Sequence, residues 1–87
     1  MSKRTIKEIR KASNYNQQQI ADAIGLSKSL YQKIEQGERN IKIGYLVKFA
    51  LFFKISIFHI KEIDTVKMPE KSYKVDLYKI IHNKLTY

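Results

Sequence analysis

The sequence predicts an all-α fold of five short helices, followed by a C-terminal extension. Apolar residues recur at helical spacing through residues 5–60, polar residues able to cap a helix precede three of these segments, and glycine or asparagine follows three of them. No proline interrupts this region, because the only proline is Pro69. With 87 residues, 44% of them hydrophobic, the chain is long enough for one small domain with a modest core.

The first two predicted helices have clear ends. The first spans residues 5–13, and Asn14 can end it because asparagine tolerates the left-handed backbone conformation. Asn16 is a candidate N-cap for the second helix, residues 17–24, and Gly25 follows its last turn. A short connection between the two helices is therefore expected.

The remaining three helices follow with similarly short connections. Ser27 and Gly37 bound the third helix, residues 28–36, which is polar and basic. The fourth helix spans residues 43–53 and is the most apolar of the five. A short fifth helix is expected over residues 56–60, which completes a five-helix domain within residues 1–60.

The C-terminal extension, residues 61–87, is harder to interpret than the predicted domain, residues 1–60. Apolar residues within 73–85 fit a helical stripe, and Pro69 suits a helix start. Residues 73–77 also alternate as they would in a strand. The helix is the favoured interpretation, and the expected role is dimerisation or bracing of the domain.

The charge of the chain is strongly basic and unevenly distributed. There are 17 Lys and Arg residues against 8 Asp and Glu residues, which gives a formal net charge of +9. Residues 1–60 hold 11 of the basic and 4 of the acidic side chains. Such a surface attracts polyanions, so nucleic acid is the first candidate partner and a membrane surface the second. A soluble basic protein without a polyanionic partner is the alternative.

Several classes of function are disfavoured by what the sequence lacks. Without cysteine there are no disulfides and no thiolate metal sites, and neither His59 nor His82 has the other histidine or a carboxylate cluster at the spacing of metal ligands. We therefore expect no metal, no cofactor and no small-molecule ligand. The sequence also has no Ser/His/Asp set, no acidic pair and no glycine-rich phosphate loop, so an enzyme is disfavoured. No apolar run reaches the ~18 residues of a membrane span, and no signal segment follows the basic N-terminus, so a cytoplasmic protein is expected.

Two short helices joined by a tight Gly25-Leu26 turn have the form of a helix-turn-helix. On a helical wheel, the second helix of the pair has one mixed face and one polar face. The polar face carries Lys28, Ser29, Gln32, Lys33 and Gln36. Such a face fits a DNA major groove, where base edges present donors and acceptors. The wheel alone is nevertheless more typical of a polar surface that faces only solvent.

The stretch QQQIADAIGLSKSLYQKIEQGERN (17–40), with Arg10 before it and Ala50 after it, makes a more specific case. Over residues 6–60 the sequence resembles the lambda-repressor/Cro (Xre-type) family of helix-turn-helix domains. The resemblance implies a five-helix lambda-repressor-like fold and sequence-specific binding of double-stranded DNA, usually as a homodimer. Each matching residue is a weak signal alone, but their order and spacing together are specific.

The resemblance also implies roles for individual residues. The expected base contacts are Lys28, Ser29, Gln32 and Lys33. The expected contacts to the DNA backbone are Gln17, Gln36, Arg39, Asn40 and Lys42. Arg10 and Glu35 match a structural ion pair that joins the first helix to the third, which a buried carboxylate needs.

Four residues depart from the family pattern. Leu30 stands where relatives often carry a small or polar residue. Tyr31 stands where relatives carry an aliphatic core residue, so its hydroxyl is expected to find a partner at the domain edge. Lys42 stands where a serine or threonine cap is common, and Lys54 stands where glycine commonly ends the fourth helix. These departures affect local details and leave the resemblance intact.

The sequence therefore predicts a transcriptional regulator. A repressor that binds a palindromic operator as a dimer is the leading hypothesis, with α-helical residues 28–36 as the recognition helix. A restriction–modification controller and a mobile-element regulator are alternatives of the same class. An alternative of another class is a protein-interaction module, such as an antitoxin component.

Overall fold

The computed structural model describes residues 3–66, which form four α-helices followed by two short 3₁₀ helices. The α-helices are α1 (Ile6–Ala12), α2 (Gln17–Ile24), α3 (Lys28–Glu35) and α4 (Ile43–Phe53), and the 3₁₀ helices are Ile57–His59 and Lys61–Thr65. Across residues 3–66 no strand forms beyond an isolated parallel bridge between Arg4 and Ile60. The prediction of an all-α domain is confirmed for this part of the chain.

The first three helices begin at side chains that cap them. The side chains of Thr5 and Asn16 each accept a hydrogen bond from the backbone N–H three residues later. The side chains of Glu8 and Gln19 in turn accept hydrogen bonds from the backbone N–H groups of Thr5 and Asn16, so α1 and α2 both start with a capping box. Ser27 accepts from the Leu30 N–H at the start of α3. Caps of this kind satisfy backbone donors that a helix start leaves open.

Left-handed residues end α2 and the turn after α3, as the sequence predicts. Gly25 has a φ of 82° and Gly37 a φ of 81°, a conformation that costs glycine little because it has no Cβ. Asn14, with a φ of 63°, takes the same conformation after α1. These turns allow the short connections that bring α1, α2 and α3 together.

A single apolar core lies at the centre of the domain. It is formed by aliphatic residues of all four α-helices and of the first 3₁₀ helix, together with the rings of Tyr31 and Phe49, both of which are fully buried. Helix α4 contributes Leu46, Phe49 and Ala50 and packs against α2 and both 3₁₀ helices. The outer surfaces of α2 and α3 are thereby left on the exterior of the bundle.

The predicted fifth α-helix is replaced by the 3₁₀ helix Ile57–His59, so the count of five α-helices is not met. Ile60 leaves the helical conformation, with φ −103° and ψ 127°, and pairs with the chain beside Arg4. The Arg4 N–H donates to the His59 carbonyl at 3.1 Å, and the Lys61 N–H donates to the Arg4 carbonyl. These bonds to the N-terminal segment compete with continuation of the helix.

Residues 61–66 pack on the same core as the rest of the domain. Ile63 and Val66 are half-buried against it, and the Glu62 carboxylate accepts the Ile6 N–H at 2.9 Å. Burial raises the pKa of Glu62, although this hydrogen bond opposes the change. The prediction of a helix or strand within residues 69–87 lies outside the described residues.

Candidate nucleic-acid interface

The turn between α2 and α3 is held by close packing. Ala21 is fully buried, and because its side chain is small, the two helices can approach each other closely. The Leu26 N–H donates to the Ala21 carbonyl at 2.9 Å, and the Leu26 side chain is buried beneath the turn. Ser27 then caps α3, so the direction of α3 relative to α2 is determined by these contacts.

The outer face of α3 is polar and accessible. Lys28, Ser29 and Lys33 are exposed, whereas Gln32 is half-buried. On the opposite side, Tyr31 and Ile34 are buried in the core. The four residues expected to contact bases therefore share one surface of the helix, and one of them also contacts the rest of the domain.

The N-terminal end of α2 borders an open cleft of about 360 Å³. The cleft is lined by Arg10, Asn16, Gln17, Gln18 and Lys28. The backbone N–H groups of Gln17 and Gln18, the first two of α2, have no acceptor within that helix. The positive end of the helix dipole also faces outward here. A cleft with amide donors and a lysine suits an anion such as a DNA phosphate.

The loop after α3 carries the remaining residues expected to contact the DNA backbone. Gln36, Arg39, Asn40 and Lys42 are all exposed. The N–H groups of Glu38 and Arg39 both donate to the Lys33 carbonyl, at 2.9 and 3.3 Å, which attaches the start of the loop to the end of α3. Cationic side chains on a loop held in this way can reach phosphates beside the groove that α3 would enter.

Lysine and arginine side chains on this surface form no ion pairs within the described residues. Within residues 3–66, the ion pairs are Lys3 with Asp64 and Arg10 with Glu35. Lys28, Lys33 and Arg39 therefore make no ion pair with any carboxylate of the described part of the chain. Their charges are available to an external polyanion.

Arg10 and Glu35 form a two-point ion pair that joins α1 to α3. The Arg10 Nε donates to Glu35 Oε2 at 2.7 Å, and Nη2 donates to Oε1 at 3.0 Å. Their side chains are 9% and 1% exposed. Burial alone would raise the pKa of the Glu35 carboxyl, but hydrogen bonds, chiefly from Arg10, outweigh it and hold the pKa below its usual range. The pairing raises the pKa of Arg10.

Tyr31 lies in the core beside this pair, so the expectation that its hydroxyl finds a partner at the domain edge is wrong for residues 3–66. The residue is fully buried, and its hydroxyl makes no hydrogen bond to any atom of these residues. Burial raises the pKa of Tyr31, and the Glu35 carboxylate adds to this effect. The aromatic ring simply takes the place of an aliphatic core side chain.

The contact between Gln17 and Gln32 is not foreseen by the sequence pattern. Gln17 donates through Nε2 to Glu35 Oε1 at 3.0 Å and accepts from Gln32 Nε2 at 2.9 Å. The two residues are 15 positions apart, and only the angle between α2 and α3 makes them neighbours. The sequence pattern predicts a separate DNA contact for each residue. No local signal in the sequence indicates that the two side chains bind each other.

A family model described as helix-turn-helix (HTH_3) matches residues 6–60. The chain belongs to the lambda-repressor/Cro (Xre-type) helix-turn-helix family. This family consists of DNA-binding regulators, and membership supports binding of double-stranded DNA by this domain. No curated protein and no solved structure matches the chain significantly. None of the helices in residues 3–66 is long and apolar enough to cross a membrane.

Proposed function

We propose that this helix-turn-helix protein is a sequence-specific transcriptional repressor that inserts α3 into the major groove of its operator. The observation that carries the proposal is the outer face of α3, where Lys28, Ser29 and Lys33 are exposed together and Gln32 lies beside them. Lysine can donate to guanine O6 and N7, and glutamine can pair with adenine N6 and N7. The four residues are the proposed base contacts.

Phosphates on either side of the groove complete the proposed contact. The cleft at the start of α2 offers Gln17 to one strand. The exposed loop residues Gln36, Arg39, Asn40 and Lys42 extend the basic surface to the other side of α3. Contacts to phosphate position a protein on DNA and supply salt-dependent affinity without selecting a sequence.

The proposed operator is palindromic, and the proposed binding unit is a homodimer. Two recognition helices would enter successive major grooves about 34 Å apart. Leu51, Phe52 and Phe58 are large apolar side chains that are 46%, 41% and 58% exposed. Exposed apolar groups of this size are typical of an interaction surface, which supports a dimer contact through the end of α4 and the 3₁₀ segment.

Binding to DNA is tested first with random duplexes at low salt, followed by selection of preferred sequences from a random duplex pool. We expect measurable binding that weakens as salt rises, because bound phosphates release their counterions. The selected sequences should contain an inverted repeat, whose symmetry reports the dimer. Selected sequences without any common motif would contradict sequence-specific regulation.

The assignment of roles is tested by comparing two kinds of variant. Gln32→Ala and Lys33→Ala should relax the sequence preference, whereas Arg39→Ala should weaken binding to all duplexes about equally and lower the salt slope by about 1. Lys11→Ala, which removes an exposed charge of α1, is the matched control and should change neither quantity much. The opposite pattern would refute this sorting of residues.

The same exposed aromatic side chains keep a second candidate function open. Phe52 and Phe58 could bind a different protein, as in an antitoxin component that uses the domain as an interaction module. The two functions give different results in the first measurement, since an interaction module need not bind DNA. Absence of binding to any duplex at low salt would favour this candidate over the repressor. A restriction–modification controller or mobile-element regulator would share the DNA-binding result.

A further inference from the structure

A continuous series of hydrogen bonds runs from the buried ion pair to the outer face of α3. Arg10 donates to Glu35 through two nitrogens, at 2.7 and 3.0 Å. The Gln17 Nε2 donates to the same carboxylate at 3.0 Å, and the Gln32 Nε2 donates to Gln17 Oε1 at 2.9 Å. One end of the series is in the core, and the other is a residue proposed to contact a base.

The chemistry of the carboxylate determines the orientation of both amides. An ionised carboxylate can only accept hydrogen bonds, so Gln17 must turn its NH₂ group, and not its oxygen, towards Glu35. Its oxygen then faces Gln32, which must in turn present its own NH₂ group to Gln17. Rotation of either amide by 180° would bring two acceptors together and lose a hydrogen bond.

We propose that Gln17 is a positioning residue that fixes the side-chain amide of Gln32, so that Gln32 presents its carbonyl oxygen and one remaining N–H to the DNA. This inference rests on the proposed function, because it requires α3 to lie in the major groove. Of the four bases, adenine offers a donor, N6, beside an acceptor, N7, and so matches both groups. Guanine presents two acceptors there and thymine presents one, so neither donates to the oxygen.

The arrangement also holds Gln32 in place before DNA binds. A free glutamine on a helix surface samples many rotamers and loses that freedom on binding. Gln32 is half-buried and already bonded, so less freedom remains to be lost. Gln36, the exposed residue that follows α3, provides an internal comparison, because its side chain makes no hydrogen bond within residues 3–66.

The test is selection from one random duplex pool with the wild type and the variants Gln17→Met, Gln32→Met and Lys11→Met. Methionine keeps the length of the side chain and removes its amide. We expect the wild type to select adenine at one position of each half-site, and Gln32→Met to lose that preference. Gln17→Met should reduce the same preference by roughly fivefold or more, while preferences at other positions persist. Lys11→Met, at an exposed residue of α1 that is not among the proposed DNA contacts, should leave all preferences unchanged.

A role of Gln17 limited to phosphate would give a different result. Loss of a phosphate contact lowers affinity for every sequence by the same factor and leaves the ratio between bases unchanged. Uniform weakening by Gln17→Met with the adenine preference intact would therefore overturn the inference and leave the proposed function standing. A wild type that selects no sequence at all would instead overturn the proposed function.

A second measurement needs neither DNA nor a variant. Nuclear magnetic resonance relaxation reports the mobility of side-chain amides in the wild-type protein on the picosecond to nanosecond timescale. We expect the NH₂ groups of Gln17 and Gln32 to be clearly more rigid than that of Gln36. A Gln32 amide as mobile as the Gln36 amide would overturn the inference, whatever the result of the selection.

Discussion

Helices α1 to α3 and helix α4 are held in the domain by different means. The starts of α1, α2 and α3 are capped by Thr5, Asn16 and Ser27. Helix α4 instead begins at Lys42, which makes no side-chain cap bond, and ends at Lys54, which has a left-handed φ of 57°. Both ends of α4 are therefore locally unfavourable.

The difference shows that α4 depends on tertiary packing for its stability. Leu46 and Phe49 are fully buried, and α4 packs on α2 and on both 3₁₀ helices. Helices in proteins gain most of their stability from burying an apolar face. Packing of this extent tolerates two poor helix ends, and Lys42 remains exposed. Helices α1 to α3 also bury apolar residues, but their starts are capped and α1 is joined to α3 by the hydrogen bonds of Glu35.

The largest effect on stability is expected at the ion pair between Arg10 and Glu35. Glu35→Ala leaves the Arg10 guanidinium buried without its partner, and should lower the free energy of unfolding by about 3–5 kcal/mol. Urea denaturation measures this change. Glu38→Ala removes an exposed acid from the adjacent loop and should stay within about 0.5 kcal/mol of the wild type. Equal stability of the two variants would mean that the ion pair contributes nothing.

A gain in stability is expected at the C-terminal end of α4. Lys54→Gly relieves a left-handed lysine and should raise the free energy of unfolding by about 1 kcal/mol. Lys48→Gly changes an exposed lysine in the middle of the same helix and should lower it by about 1 kcal/mol. The opposite signs make the pair a strong test by thermal or urea denaturation. A loss in both variants would show that the left-handed lysine costs nothing.

Stability and DNA binding should change in opposite directions at the N-terminal end of α4. Lys42→Ser supplies a cap and should raise the free energy of unfolding by about 1 kcal/mol. It also removes a proposed phosphate contact, so the salt slope of DNA binding should fall by about 1. Lys42→Ala is the control, with the same loss of binding and no gain from a cap. Unchanged DNA binding in both variants would remove Lys42 from the proposed interface.

The smallest effect is expected in the core beside Glu35. Tyr31→Phe removes a buried hydroxyl that has no partner within residues 3–66, so stability should be unchanged or higher by up to about 1 kcal/mol. Tyr15→Phe, at a ring that is 37% exposed, should have almost no effect. A clear loss for Tyr31→Phe, measured by denaturation, would indicate that the hydroxyl does have a hydrogen-bond partner.

Local chemistry explains why the sequence alone determined helices α1 to α3 and the helix-turn-helix. The caps at Thr5, Asn16 and Ser27 act on backbone groups within three residues, and Gly25 and Gly37 act on their own φ angles. Signals of this range can be read without knowing the fold. The outward polar face of α3 was likewise predictable, because helical periodicity assigns each residue a side.

Only the tertiary structure decided the features that depend on distant residues. The fifth helix becomes a 3₁₀ turn because the chain at Ile60 pairs with Arg4, and the Tyr31 hydroxyl loses its expected partner because the whole residue is buried. The bond between Gln17 and Gln32 exists only because α2 and α3 cross at the angle set by their packing. Contacts between residues far apart in sequence depend on how the helices pack, which local patterns do not encode.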